Sequence, residues 1–431
     1  RLHPPPIRMP HRVKPSPSAS PAAGAPAART RAGRGRIGRM PVPPPDAPPV
    51  RWTPVPDARE RARVGHYLAW LQRHEARAFA DYDALQRWSV DDLEGFWSSL
   101  WRYFDLGPLS GPALASAEMP GARWFPEARL NWAERTLAAP GRSEDEVVVV
   151  ARGDTRDRDT LTLAELREAV ARARAGLRRI GVAKGDRVAA YLPNVPEAVV
   201  GLLATASLGA TWSSCAPEFG TRSVIDRWSQ IAPKVLLTVD GYRYGPRAVD
   251  RAAEVAAIRS ALPSLEATVV LPYLGNGSSV PDALTWNELC AETDDGLRFE
   301  PVPFDHPLFV LYSSGTTGLP KPIVHGHGGI LLEHLKIHAL HHDLGPADRF
   351  FWFTTTGWMM WNYLVSGLAV GATIVLFDGA PAHPDLGALW RMASEERVTY
   401  FGTSAPFLMA CRRDGLRPAG LADLSALRGL G

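Results

Sequence analysis

Cysteine is scarce in this chain. Only Cys215, Cys290 and Cys411 occur in 431 residues. They are odd in number and far apart, which argues against a disulfide framework and fits a reducing compartment such as the cytoplasm. Long apolar runs are missing too. No stretch of roughly 18 apolar residues occurs, so no membrane-spanning helix is expected. No secretory apolar core opens the sequence either. Acidic residues are absent from residues 1–39, which carry nine Arg or Lys. The remainder holds 39 basic against 45 acidic residues, a mildly acidic balance that gives no reason to expect a nucleic-acid partner.

What is present is ordinary for a globular protein: 45% hydrophobic and 22% charged residues. The length exceeds one small core and predicts two or three subdomains. Residues 1–48 stand apart. Their Pro, Ala and Arg content ("PSPSASPAAGAPAARTRAGRGRIGR") cannot bury enough apolar surface to order itself, so a disordered leader is expected, of which residues 1–39 are dispensable for folding. An Arg-rich, acid-free transit peptide is the alternative, although prolines would break its amphipathic helix.

Residues 57–125 read as a helical segment. Leu93, Phe96, Trp97, Leu100, Trp101 and Phe104 recur at three- and four-residue spacing, which makes an aromatic stripe suited to packing. Ser89 is the expected N-cap, with Asp91 and Asp92 in the first turn. Residues 126–431 then alternate. "EVVVVAR", "DRVAAYL", "ATWSSCAP", "KVLLTV" and "EATVVLPYL" read as strands, as do "PLFVLYSS", "RFFWFTTT", "ATIVLFDG" and "VTYFGTSA". Helical patterns separate most of them. Thr162 and Glu165 form a capping box ahead of one, and Pro196 sits in the first turn of another. This alternation predicts an α/β fold of parallel-rich sheets flanked by helices.

One loop concentrates chemistry. "SSGTTGLPK" supplies hydroxyls from Ser313, Ser314, Thr316 and Thr317. Gly315 and Gly318 let backbone amides approach an anion, and Lys321 adds a point charge. It is expected between a strand at 308–312 and a helix starting near Gly328, at a strand end where α/β sheets bind ligands. These are the parts of a polyphosphate cradle. It is not a Walker A loop, which needs G-x-x-x-x-G-K-S/T. Histidines crowd residues 325–342, and His334 and His338 stand four apart. Their frame is "HLKIH", without the Glu of H-E-x-x-H, so a helix face bearing His is the better reading and no metal site is assigned.

The loop resembles the phosphate-binding signature of the adenylate-forming ligases. Around it, "YDALQRWSVDDLEGFWSSLWRYFDL" resembles the N-terminal segment of acetyl-CoA-type synthetases. "HGHGGILLEHLK" and "GWMMWN" are similar to the acyl-CoA synthetases that act on acetoacetate. The resemblance covers roughly residues 68–431. It implies a fold made of the N-terminal subdomains of such a ligase, with ATP, CoA, Mg2+ and acetoacetate as small-molecule partners and no membrane. It implies that Lys321 and Thr316 act in catalysis, and that Ser313, Ser314, Gly315, Thr317 and Gly318 join them on the ATP phosphates. Trp358 would wall a short acyl pocket, with Gly357, Met359 and Met360 beside it. Arg243 and Arg247, in "GYRYGPR", would meet the 3′-phosphate region of CoA; Arg suits phosphate by its planar fork.

The chain ends at "LADLSALRGLG", ahead of where the resemblance puts the adenine-binding motif, the ribose-binding Asp, the hinge and a small C-terminal domain with its catalytic Lys. A C-terminally incomplete ligase domain, inactive alone, is therefore expected. An acetyl- or propionyl-CoA synthetase, and a non-catalytic nucleotide or acyl binder, are the alternatives.

Overall fold

The computed structural model describes residues 53–277, 280–291, 296–313 and 318–431. The chain divides after Ala58, and the fold below is that of Arg59–Gly431. The expectations about residues 1–48, and about Ser314, Gly315, Thr316 and Thr317, fall outside the described residues.

Three helices lead in: α1 (Arg63–Glu75), α2 (Tyr82–Asp91) and α3 (Leu93–Tyr103). The aromatic stripe lies on α3 and its end, with Leu100, Trp101 and Phe104 buried and Phe96 and Trp97 packed on the core. The start of α3 corrects the sequence reading. Ser89 lies inside α2, where its hydroxyl donates to the Gln86 carbonyl at 2.7 Å. Asp92 is the N-cap instead: its carboxylate accepts from Gly95 N and from Trp88 Nε1, both at 2.9 Å. A carboxylate there satisfies an orphan amide and faces the positive end of the helix, which a serine three residues earlier cannot reach.

Next come α4 (Trp132–Ala138), β1 (Val147–Gly153), β2 (Asp159–Thr162) and α5 (Leu163–Arg179). The capping box at Thr162 and Glu165 is fully formed. Then follow β3 (Arg187–Tyr191), α6 (Pro196–Ser207), β4 (Thr211–Cys215), α7 (Thr221–Trp228) and β5 (Val235–Val239). A hairpin of β6 (Gly241–Tyr244) and β7 (Arg247–Asp250) precedes α8 (Ala252–Ala261), β8 (Ala267–Leu271) and β9 (Leu284–Thr285). The chain continues through β10 (Pro307–Ser313), β11 (Lys321–Gly326), α9 (His327–Lys336), β12 (Arg349–Trp352) and α10 (Met359–Val365). It closes with β13 (Thr373–Asp378), α11 (Ala388–Glu395), β14 (Tyr400–Gly402), α12 (Ala405–Arg413) and β15 (Gly429–Leu430).

Among the described residues two large sheets form. One runs β9-β8-β5-β3-β4-β10-β11, the other β15-β14-β12-β13-β1-β2. Every neighbour pair is parallel except β10/β11 and β1/β2, which close one edge of each sheet. Buried runs such as "VLLTV" and "TWSSC" fit strands covered on both faces. Alternate residues divide between cores by the two-residue period of a strand: Val188 and Ala190 enter the central core, while Ala189 and Tyr191 face the layer of α7 and α8. Val150, Phe351 and Val375 likewise face α11 and α12. The layers are therefore helix, sheet, helix, sheet, helix. Helix α6 is buried at every position but Glu197, which explains why its sequence is apolar all round.

The His-bearing helix face is internal. His334 Nδ1 donates to Ser366 Oγ at 2.7 Å, since that hydroxyl itself donates to the Asn362 carbonyl at 3.0 Å. His338 Nε2 donates to the Tyr363 carbonyl at 3.0 Å. At the other end of α9, His327 Nδ1 accepts from Trp132 N, the first orphan amide of α4, at 3.1 Å. Burial pushes His327 and His334 down to about 3, and His338 well below the ordinary value.

Candidate active site

The parallel strands of both sheets end on the same side, and their ends meet along a buried polar seam. Ser214, near the end of β4, donates to the Thr356 carbonyl at 2.7 Å. Thr356 donates back to the Leu192 carbonyl at 2.6 Å. Asn194 Nδ2 reaches the carbonyls of Thr354 and Phe377, both at 3.3 Å, and Asn194 Oδ1 accepts from Trp361 Nε1 at 2.9 Å. Each of these side chains ties a strand end of one sheet to that of the other. Paired in a low-dielectric setting, such bonds hold the rim rigid.

The strands that flank the Ser/Thr/Gly loop in sequence, β10 and β11, pair as a hairpin. Ser313 pairs with Lys321 in the β10/β11 ladder, and Ser313, Gly318 and Lys321 are all exposed. The strand-to-helix placement read from the sequence is thereby corrected: an antiparallel edge strand, β11, intervenes before α9 begins at His327. Its sequence, "KPIVHG", hid it. Pro322 removes a ladder donor and is tolerated because β11 lies at the sheet edge.

Helix α7 and its end grip both flanks of this loop. Tyr312 OH donates to the Arg227 carbonyl at 2.9 Å on the near side. Gln230 Nε2 donates to the Pro320 carbonyl at 2.9 Å on the far side. The Arg227 guanidinium also stacks over Phe219, 5.1 Å from its centroid, and over Tyr312 at 5.8 Å. Phe219 in turn meets Trp358 edge-on, with centroids 6.4 Å apart. Arg227, Phe219 and Tyr312 thus link the indole to the end of β10. Sequence reasoning missed these residues. No local pattern marks them, and Gln230 stands in the turn just past the end of α7.

Trp358 is the N-cap residue of α10 and largely exposed, as is Met359. Met360 turns inward onto the central core, so the two methionines do not share a surface. Gly357 makes the close approach of Phe219 possible: a Cβ there would lie 2.6 Å from Phe219 Cζ.

Beside the seam opens a cavity of about 470 Å3, lined by Asn194, Tyr242, Tyr244, Arg247, Thr355 and Asp378 among others. The β6/β7 hairpin forms one wall. Asp154 fixes it, accepting from Gly245 N at 2.7 Å and from Ala380 N at 2.8 Å, while Thr155 Oγ1 accepts from Arg243 N at 2.8 Å. The hairpin separates the two arginines that the sequence reading grouped. Arg247 lies opposite Tyr244 and lines the cavity, whereas Arg243 lies opposite Ala248 on the other face. Arg251 lines the cavity too, bound to Glu254 and to Tyr242 OH. On the cavity floor Asp378 accepts from Tyr273 OH at 2.8 Å. Burial pushes its carboxyl up to about 7, despite that hydrogen bond. The site thus offers a rigid rim, a hydroxyl- and glycine-rich loop with Lys321, an exposed indole, and a cavity with a cation at its mouth.

Comparison with known proteins gives concordant findings. A family profile described as "AMP-binding enzyme" matches residues 137–431, and one described as "Acetyl-coenzyme A synthetase N-terminus" matches residues 82–135. The chain is 44% identical over 384 residues to an acetoacetyl-coenzyme A synthetase of Rhizobium meliloti (strain 1021), covering 88% of this chain and 58% of that protein. It is 36% identical over 392 residues to an acetoacetyl-CoA synthetase of Danio rerio, covering 87% and 58%. Among solved structures it resembles acetoacetyl-CoA synthetase from Streptomyces lividans, with a TM-score of 0.85 and 51% identity, over 89% of this chain and 59% of that one. The chain therefore spans somewhat under three fifths of the length of these relatives.

Proposed function

Since this chain belongs to the AMP-binding enzyme family, we propose that the whole protein is an ATP-dependent acid–CoA ligase that converts acetoacetate to acetoacetyl-CoA. The observation that carries the reading is likeness over nearly nine tenths of the chain to proteins named acetoacetyl-CoA synthetase. In the first step a carboxylate oxygen attacks the α-phosphorus of ATP, and pyrophosphate leaves with the bond electrons to give an acyl-adenylate. In the second the CoA sulfur attacks the acyl carbon, and AMP leaves.

Such chemistry needs positioning and charge stabilisation more than a strong acid or base. Lys321 and Thr316 would act on the departing pyrophosphate. Ser313, Ser314, Gly315, Thr317 and Gly318 would complete its cradle, between flanks fixed by Tyr312 on the Arg227 carbonyl and by Gln230 on the Pro320 carbonyl. Mg2+ would ride on the phosphate oxygens and offset their charge; among the described residues no group of three His, Cys, Asp or Glu is placed to hold a metal. Trp358 would wall the acyl group, with Gly357 giving Phe219 room behind it and Met359 at the edge. Met360 would support that wall from the core. Arg247 would meet the CoA 3′-phosphate region at the cavity mouth, while Arg243 secures the hairpin through its backbone. The cytoplasm is the compartment that three free cysteines fit. No described helix is long and apolar enough to cross a membrane.

Acetoacetate-dependent ATP–pyrophosphate exchange by the complete protein isolates the first step. Exchange is expected with the parent. Lys321→Ala should slow it by roughly a hundredfold, the scale of one lost charge-stabilising donor. Exchange at the parental rate in the variant would remove Lys321 from the chemistry, and no exchange in the parent would remove the ligase reading.

A further inference from the structure

A second cavity, of about 460 Å3, lies away from this rim. Leu344 and Pro346, which line it, precede β12, whereas residues 353–355 of the active-site cavity follow that strand. The two cavities thus sit at opposite ends of β12, and nothing in the proposed reaction uses the second one.

Two cations face it. Arg135, on α4, is half-buried and lines the cavity, its Nε enclosed behind the wall without a hydrogen-bond partner. Burial pulls this guanidinium below the usual arginine range, and Asp105 acts in the opposite sense. Arg63 lies flat against Gly345, where a Cβ would come within 1.6 Å of Nη2. That glycine is what lets a guanidinium occupy the wall. Asp105 is the one acidic residue among those lining the cavity, so the lining carries a net single positive charge. The rest is largely apolar, including Leu335, Ala339, Leu344 and Val370.

A half-buried guanidinium is partly stripped of water, and an anion that reaches its remaining N–H groups from the cavity offsets that cost. We propose that this cavity binds a monocarboxylate with a short apolar chain, its carboxylate on Arg135 and Arg63 and its chain against Leu335, Ala339 and Val370. The single net charge matches a monoanion. The planar guanidinium receives a carboxylate through parallel N–H groups, and the apolar walls favour a hydrocarbon body over a mineral anion. This assignment does not depend on the ligase reading.

Isothermal titration of the 431-residue chain with butyrate tests it, with butyramide and inorganic phosphate as companions. Saturable butyrate binding is expected, with both companions at least about tenfold weaker. Arg135→Met keeps the length of the side chain and removes its charge. It should weaken butyrate by about tenfold or more. Should Arg135→Met fail to fold, Arg63→Gln carries the same expectation at the surface of the cavity. No saturable butyrate binding, or phosphate binding as tight as butyrate, overturns the proposal. So does a butyrate affinity that survives the folded arginine variants.

Discussion

Trp358 is largely exposed and meets Phe219 in an edge-to-face contact. A side chain held this lightly can serve as a wall without being part of the core, and its removal should reshape the rim and leave the fold intact. In the complete protein, Trp358→Gly should therefore gain activity on linear acids of four to six carbons and lose it on acetoacetate. Apolar fit discriminates by only about 1–3 kcal/mol per methylene, so the change should be graded. Comparing kcat/KM for acetoacetate, butyrate and hexanoate checks this, and an unchanged ranking would place Trp358 outside the acyl site. At this scale the sequence was legible where residue type alone states the chemistry, as in the run of Ser, Thr and Gly before Lys321. It was not legible at Asn194, Ser214 or Thr356. Each acts through a partner 142 to 183 residues away, and no local pattern marks it.

At the scale of elements, helix α9 and its continuation carry a titratable load. His327, His334 and His338 are buried and neutral, with folded values lowered from the ordinary 6.5. A lowered value means that the unfolded chain binds the proton first. Their contribution to stability is then pH-independent above about 6.5 and is lost as pH falls from there toward about 3. Asp378 works the other way, since its raised value makes the folded state bind the proton in much of that window. Three histidines outweigh it, so the net slope is loss of stability toward acid. His338→Gln keeps a donor for the Tyr363 carbonyl and removes one titration. It should reduce the slope of unfolding free energy against pH by about 1.4 kcal/mol per unit between pH 6 and 4; parallel curves for parent and variant would contradict the assignment. The β6/β7 hairpin makes a second element-scale test. Asp154→Ala frees the amides of Gly245 and Ala380, two bonds that hold the cavity wall. The complete protein should show a KM for CoA raised roughly tenfold, from about 1.4 kcal/mol of lost positioning, with KM for ATP little changed. Equal increases for both substrates would mean a general loosening. This hairpin was invisible in the sequence because Gly, Pro and Arg interrupt any alternation, and Ser89 was misread as a cap because Asp92 offered the stronger acceptor one turn on.

Over the whole molecule, the alternation of buried strands with helices was the most legible feature, because parallel sheets demand apolar runs covered on both faces. Each strand quoted from residue 146 onward is present, and the two sheets share a central helical layer. The pairing of those strands into two sheets was not legible. Nor was the edge strand β11, whose partner is set by contacts rather than by its own pattern. What the molecule achieves at this scale is convergence: the strand ends of two sheets are locked together, with the β10/β11 hairpin, the indole and the cavity around one rim. On the function proposed above, this rim serves activation of acetoacetate. The most direct measurement is thioester formation by the complete protein with ATP and CoA, comparing kcat/KM for acetoacetate, acetate, propionate and butyrate. The account predicts acetoacetate first, with one AMP and one pyrophosphate released per thioester formed. A higher kcat/KM for acetate or propionate, or thioester formation without AMP, would contradict it.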